Sequence, residues 1–366
     1  MAELRRPRPS LPPPITAVGP LGWLHRNLFS SPLNAVLTVT ALVLLYLLIP
    51  PVIRWAFLHA DWRGDSREAC TSGGACWVFI RVRFNQFMYG FYPEAERWRV
   101  NLTLLLAMLP AVLLFIKTFP YKRWLAVYLL LVYPVLAFFL LTGGVFGLPP
   151  VETSRWGGLL LTLVIASVGM TAALPLGILL ALGRRSELPV IRAISVVFIE
   201  FWRGVPLITV LFMSSVMLPL FLPEGMNVDK LLRALIGVVL FQSAYMAEVV
   251  RGGLQAIPRG QYEAAAALGL GYWRMMGLVI LPQALQRVIP GIVNTCIALF
   301  KDTTLVIIIG LFDLLGSIHS AITDAHWLGY ATEGYVFAAL LFWMFCFGLS
   351  RYSQALEKHL ATGHPP

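Results

Sequence analysis

The chain has 366 residues, of which 58% are hydrophobic and only 13% charged, with a formal net charge of +10. That balance excludes an ordinary soluble domain and leaves a polytopic membrane protein. The basic excess does not describe a nucleic-acid surface, because many Arg and Lys flank apolar runs, where they anchor helices and set topology; no nucleic-acid partner is expected, and the bilayer itself is the expected surroundings.

Residues 1–32 are rich in Pro and Arg, lack a signal-peptide pattern and read as a cytoplasmic leader. A membrane-spanning helix needs about 20 mainly apolar residues. Eight segments qualify: Leu33–Ile53, Val100–Phe119, Trp124–Leu141, Gly158–Leu182, Val205–Leu222, Leu232–Val250, Ile289–Ile309 and Tyr335–Ser350. Leu188–Trp202 is also apolar in patches, so the fifth span can begin earlier. The expected fold is therefore an all-α polytopic membrane protein. Composition changes near Pro149-Pro150, which divides a three-span N-terminal extension (33–150) from a five-span core (151–366) that holds the unusual polar positions.

Orientation follows from basic residues near the span ends. Arg26 precedes the first span, Lys117, Lys122 and Arg123 separate the second and third, and Arg184, Arg185 and Arg192 follow the fourth. Arg251, Arg259, Arg274 and Arg287 follow the sixth, and Arg351 and Lys358 the eighth. All fall on alternate loops, which places both termini in the cytoplasm. The loop 59–99 departs from the pattern: it should be external, yet it carries Arg63, Arg67, Arg81, Arg83, Arg97 and Arg99. Cys70 and Cys76 lie in this loop with Gly73-Gly74 between them. In an oxidising periplasm they can form a disulfide, worth roughly 2 kcal/mol for so short a loop, and otherwise they are two free thiols. Cys296 and Cys346 lie in apolar runs as core residues, and the four cysteines have no metal-ligand spacing.

The polar stretch 256–281 predicts two short helices. Pro258 can open the first. Gly269 stands where a helix ends on positive φ, Gly271 breaks the chain again, and Pro282 should end the second helix. Such a pair is a compact knob, and the small side chains around Ala264 and Ala265 let a partner backbone approach. Charged residues inside apolar runs are the other anomaly, since a Lys or Asp near mid-bilayer costs about 2.5–3.5 kcal/mol. Lys301 and Asp302 must pair, face water or sit at a helix break; a packing pair and a position facing the translocation path both remain open. Glu200 with Arg203, and Glu248 with Arg251 three residues apart on one helix, read as structural ion pairs. Ser243, Asn294 and Thr303 join Lys301 and Asp302 as candidates for a pathway lining, with interhelical hydrogen bonding as the alternative.

Four strings together carry a resemblance. The spacing of Glu263, Ala264, Ala265, Gly269, Leu281 and Pro282 resembles the E-A-A loop of membrane subunits of ATP-binding-cassette importers, with Val279 where Ile is usual. Glu200-Phe201-Trp202-Arg203-Gly204-Val205-Pro206-Leu207, the run from Ala247 to Pro258, and Lys301-Asp302-Thr303-Thr304-Leu305 resemble strings of the polar amino-acid permeases. The added N-terminal spans and the loop with Cys70, Cys76 and Phe91–Trp98 are similar to one of the two paired membrane subunits of the bacterial general L-amino-acid importers.

The resemblance implies a type I importer subunit in the inner membrane, carrying L-amino acids inward. It implies a homologous second permease subunit as a heterodimeric partner, a periplasmic amino-acid-binding protein, and a homodimeric cytoplasmic ATPase that grips the loop 256–281 and holds the ATP and Mg. No cofactor is expected on this chain. No lysine follows a glycine, so the phosphate-binding G-K-[ST] signature is absent, as are H-E-x-x-H and G-x-S-x-G, and the chain is not expected to be an enzyme by itself. The rival reading is an ion-coupled secondary transporter that uses the intramembrane charges; it gives the E-A-A loop no role.

Overall fold

The computed structural model describes residues 19–116, 119–145, 147–221, 223 and 228–361; most of the predicted leader, and Lys117 between the second and third spans, lie outside them. Among the described residues the architecture is helical, with no strand. The chain forms two compact units, residues 1–78 and 79–366.

The first unit contains α1 (Gly19–Leu28) and α2 (Pro32–Leu58), the first candidate span. Ser31 caps α2 by accepting from the Asn34 amide at 3.2 Å, and Pro32 follows at the first helical position, where its missing N–H costs nothing. The loop beyond α2 is folded. Cys70 and Cys76 are joined with their Cα atoms 5.6 Å apart. The Asp61 carboxylate accepts from the Ser72 amide at 3.1 Å and its hydroxyl at 2.8 Å, and these bonds hold it below the usual carboxylate range. The Trp77 indole donates to the Ala56 carbonyl at 2.7 Å, and its ring packs tilted against those of Trp55 and Trp62, with centres 6.2 and 5.7 Å away.

The boundary between the units lies within α3 (Trp77–Tyr89). Contact therefore divides the chain after Val78, whereas composition placed the change at Pro149-Pro150. The reason is buried polar bonding. In α4 (Arg97–Phe115) Arg99 has no exposure; it pairs with Glu96 at 2.8 Å and donates to the carbonyls of Leu140 and Pro149. Tyr92, also buried, donates to Leu141 at 2.9 Å. These bonds fasten the end of α5 (Lys122–Thr142) to the segment that leads into the later helices, and one hydrophobic core runs from Tyr92, Val100 and Leu141 through Trp156 to Leu161 and Val238.

The later helices are α6 (Gly158–Arg184), α7 (Pro189–Gly204), α8 (Leu207–Phe221), α9 (Lys230–Gln255), α10 (Arg259–Ala267), α11 (residues 272–287), α12 (Ile289–Ile309), α13 (Leu314–Ile322) and α14 (Ala331–Ala361). The axis is α9: 56% of its apolar stretch is buried, twice the 28% of α6 or α12. Asp229 caps it by accepting from the Leu232 amide at 2.9 Å. On α6 the small residues Gly169, Ala173, Gly177 and Ala181 recur every fourth position, and all are buried. A Cβ on Gly177 would lie 2.7 Å from the Met246 Cβ of α9, so glycine is what lets the two helices close on each other.

Two sequence expectations change. The fifth span does not extend smoothly back to Leu188: α7 and α8 meet at 100°. Pro206 lacks an N–H and forces Val205 into extended backbone (φ −102°, ψ 131°), which ends the first helix. Pro282 does not end a helix either. Tyr272–Met275, a π turn at Met276–Ile280 and Leu281–Arg287 run on as one rod, in which the Leu281 amide bonds to the Met276 carbonyl. The wider turn moves the ladder past the point where proline has nothing to donate.

Candidate functional site

The knob predicted at 256–281 is built from α10 and the start of α11. Helix α10 begins after Pro258 and ends in two paired bonds, Gly269 amide to Ala266 carbonyl at 2.9 Å and Leu270 amide to Ala265 carbonyl at 3.2 Å. This reversal needs a left-handed residue, and Gly269 supplies it at φ +76°. Ala265 is buried, while Glu263, Ala264, Gly269 and Pro282 are exposed and Leu281 is half-buried. Leu268 and Trp273 stand out at the tip, 80% and 72% exposed. Of the loop residues read from the sequence, Glu263, Ala264 and Gly269 are exposed around this turn, Ala265 is buried, Leu281 packs against the interior cluster and Pro282 is exposed farther along α11.

The knob is fastened to the bundle from beneath. Met276, Ile280 and Ala284 on α11 enter a buried cluster with Leu182 of α6, Ile199 of α7, and Met246 and Leu254 of α9. Arg185, at the end of α6, donates to the Leu254 carbonyl and to the Tyr262 hydroxyl, both at 3.0 Å, and its guanidinium lies 5.5 Å from the Tyr262 ring centre. Arg287 donates to the Ala256 carbonyl at 2.5 Å, and Gln283 to the Gln261 side chain at 3.2 Å. In the sequence Arg184 and Arg185 were legible only as topology anchors; their partners lie up to 77 residues away.

A charge network adjoins this cluster. Arg184 donates through one nitrogen to Glu200 at 2.9 Å and to Glu248 at 2.8 Å. Glu248 also receives Arg251 at 2.7 Å, with Arg203 at 3.9 Å. The Glu248–Arg251 pair is therefore present. The Glu200–Arg203 pair is not: Glu200 turns to Arg184, and Arg203 leans toward Glu248 and to within 5.8 Å of the Tyr245 ring centre. Three residues apart on a helix permits a pair, but Arg184 offers Glu200 a bond that also satisfies Glu248.

The pathway candidates separate into two kinds. Ser243 and Thr303 are buried and their hydroxyls bond back to the Leu240 and Phe300 carbonyls of their own helices, so neither reaches a surface of this chain. Asn294 and Lys301 are exposed and Asp302 is half-buried. Asp302 ends the α-helical part of α12, and the tighter helix Thr303–Ile309 begins there. The charges thus stand at a helix break, with no ion pair at contact distance among the described residues.

At the opposite end of the bundle is a group that the sequence did not single out. Asp313 caps α13 by accepting from the Gly316 amide at 2.9 Å, yet it has no exposure, and its second oxygen has no hydrogen-bond partner. Burial pushes its pKa up to about 6.

The multi-span helical architecture is that of a transport permease, and the chain belongs to the family of binding-protein-dependent transport system inner membrane components, whose model matches residues 173–362. In such systems ATP is hydrolysed by a separate subunit. The chain is 63% identical over 345 residues, 94% of each chain, to the inner membrane amino-acid ABC transporter permease protein YhdY of Escherichia coli (strain K12). It is 41% identical to the glutamate/glutamine/aspartate/asparagine transport system permease protein BztC of Rhodobacter capsulatus, covering 99% of this chain and 98% of that one. A crystal structure of an amino acid ABC transporter with histidines aligns with 55% of this chain and 92% of its own, at 28% identity and a TM-score of 0.49.

Proposed function

We propose that this permease imports L-amino acids from the periplasm into the cytoplasm as one of two homologous membrane subunits of a type I importer in the bacterial inner membrane. A periplasmic binding protein delivers the solute, and a homodimeric ATPase, with ATP and Mg in its own sites, engages the knob. The names of the relatives support the solute class, and the basic loops support cytoplasmic termini and a periplasmic Cys70–Cys76 loop. The core 151–366 carries the pathway and the coupling loop, and 33–150 is the extension. Asn294, Lys301 and Asp302 are the lining candidates that this chain leaves accessible, with Ser243 and Thr303 packed behind them.

The observation that carries this reading is the knob itself: an exposed tip around Gly269, fastened beneath to the ends of α6 and α9 and to α7. When the ATPase dimer closes, a push on Glu263, Ala264 and Leu268 reaches those helix ends through Arg185 and the Met276–Ile280 packing. The bundle then rocks between inward and outward states.

Gly269→Asp tests this. A left-handed non-glycine residue costs roughly 1–2 kcal/mol, and about 1.4 kcal/mol is tenfold in population, so uptake of labelled amino acids should fall roughly tenfold. The subunit should still insert and pair with its partner, while the ATPase no longer co-purifies in full amount. Normal uptake in this variant, or uptake that persists without any ATPase, would remove the coupling role and favour an ion-coupled transporter.

A further inference from the structure

Helix α7 is not arranged as a span, and its surface divides into three sectors. Val190, Ile194, Val197 and Phe201 recur at four- and three-residue steps, which is one stripe of a helix. They are 67%, 64%, 67% and 59% exposed. Ser195 and Ile199 form the second sector; both are buried, and Ile199 packs in the cluster with Leu182 and Leu254. Arg192 and Arg203 lie opposite the apolar stripe and, with Glu200, form the polar sector. A helix in bulk water would not carry the first stripe, and a helix inside the bilayer would not carry the third.

Its depth follows from its neighbours. Helix α9 has 26 residues, about 39 Å at 1.5 Å per residue, against a hydrocarbon core of about 30 Å. The last turns of α9, where Leu254 meets Ile199, therefore lie at the boundary between acyl chains and headgroups. At that level α7 turns 100° away from the span α8 that follows it. With α8 upright as the fifth span, α7 at this depth runs along the membrane plane. Arg192 supplies the charge: it is exposed, donates to the Ser186 carbonyl at 2.9 Å, and has no acidic partner among the described residues.

We propose that α7 is an interfacial helix that rests on the leaflet at the coupling-loop end of the spans. Its stripe Val190–Phe201 enters the acyl region, and Arg192 recruits anionic phospholipid headgroups. This rests on the family's membrane location and not on the transported solute. Its consequence is functional: α7 bears Glu200 and Arg203 of the charge network, so lipid charge at this site reaches the helices that the knob drives.

The test uses the assembled importer in nanodiscs, with Cys296 and Cys346 replaced by serine and uptake verified in vesicles. Single substitutions Val190→Cys, Ile194→Cys, Val197→Cys and Phe201→Cys carry a bimane label, and Arg192→Cys is the control on the polar side. Brominated phosphatidylcholine should quench all four stripe positions but not the control. Brominated phosphatidylglycerol should quench Val197→Cys more strongly than phosphatidylcholine at equal mole fraction. A basic residue near an anionic surface is worth about 1 kcal/mol, or about fivefold, and Arg192→Gln should abolish an enrichment of that size. Stripe labels that lipid does not quench, because the second membrane subunit covers them, would overturn the proposal, as would labels quenched only by a water-soluble agent. Equal quenching by the two lipids, unaffected by Arg192→Gln, would overturn the role given to Arg192.

Discussion

The two ends of the bundle treat charge in opposite ways. At the coupling end, Arg184, Glu200, Arg203, Glu248 and Arg251 share one another, and most are partly exposed. At the other end, Arg99 and Asp313 are each fully buried: Arg99 pairs with Glu96 and two carbonyls, while Asp313 holds one amide and leaves an oxygen without a partner. Exposed, redundant pairing tolerates rearrangement, because a side chain that loses one partner has another or has water. Buried, single-purpose pairing fixes a geometry, because the lost partner is not replaced. The knob end thus shares its charges in a network, and the opposite end holds each charge buried among fixed local partners.

The sharpest way to break this contrast is Arg99→Met. It leaves the partly exposed Glu96 carboxylate and the carbonyls of Leu140 and Pro149 without their donor, and removing one member of a buried pair typically costs about 3–5 kcal/mol. The variant should give little folded protein, and thermal unfolding in detergent should show the loss. A near-normal melting temperature would mean that this end is not fixed by Arg99.

Asp313 should act in the opposite direction. Its pKa rises from 3.8 to about 6 in the folded chain. The folded state therefore holds the proton more tightly than the unfolded one. Stability from this group is complete below pH 4 and is lost as pH rises through 6, a change of about 3 kcal/mol at 1.36 kcal/mol per pKa unit. Asn caps helices as well as Asp does, so Asp313→Asn should keep α13 and raise stability at pH 7. It should also flatten the slope between pH 4 and 6. Unfolding curves across that range check both points, and an unchanged slope would show that the carboxylate is not the titrating group.

Glu248→Gln tests the redundant end. It removes the centre of three arginines, but each retains water or a second acceptor, so the cost should be about 1.5–3 kcal/mol, the range for hydrogen bonds to charged groups. Transport should fall more than the amount of folded complex, measured as uptake per assembled importer. Equal falls would make the network a packing device like Arg99. The smallest effect belongs to Gln242, whose amide donates to the Thr295 carbonyl at 2.9 Å between α9 and α12. Interhelical bonds of this kind average about 0.6 kcal/mol, and Gln242→Leu should shift unfolding by no more than that.

Much of the molecule could be read from one sequence because its signals are local. Apolar length located the spans, and Gly269 announced the turn that the Ala265 and Ala266 carbonyls complete. What could not be read depends on distant partners. Nothing in Glu200-Phe201-Trp202-Arg203 says that Glu200 will prefer Arg184, sixteen residues back on another helix. Pro282 has a local meaning as a terminator, and a π turn four residues earlier sets that meaning aside. Of the six arginines of the loop 59–99, Arg99 is not a surface charge at all, whereas Arg63, Arg67 and Arg81 are exposed and remain exceptions to the topology rule. Asp313 passed as an ordinary polar residue because burial is invisible in a string.

Arg184 and Arg185 are neighbours in the chain and serve different masters. One clasps two helices through Glu200 and Glu248, and the other ties the knob to α9 through the Tyr262 hydroxyl and the Leu254 carbonyl. Arg184 is the last residue of α6 and Arg185 is its cap, so a single helix end carries both clasps. A displacement of the knob that pulled on Arg185 would act on the residue bonded directly to the one that holds Glu200 and Glu248.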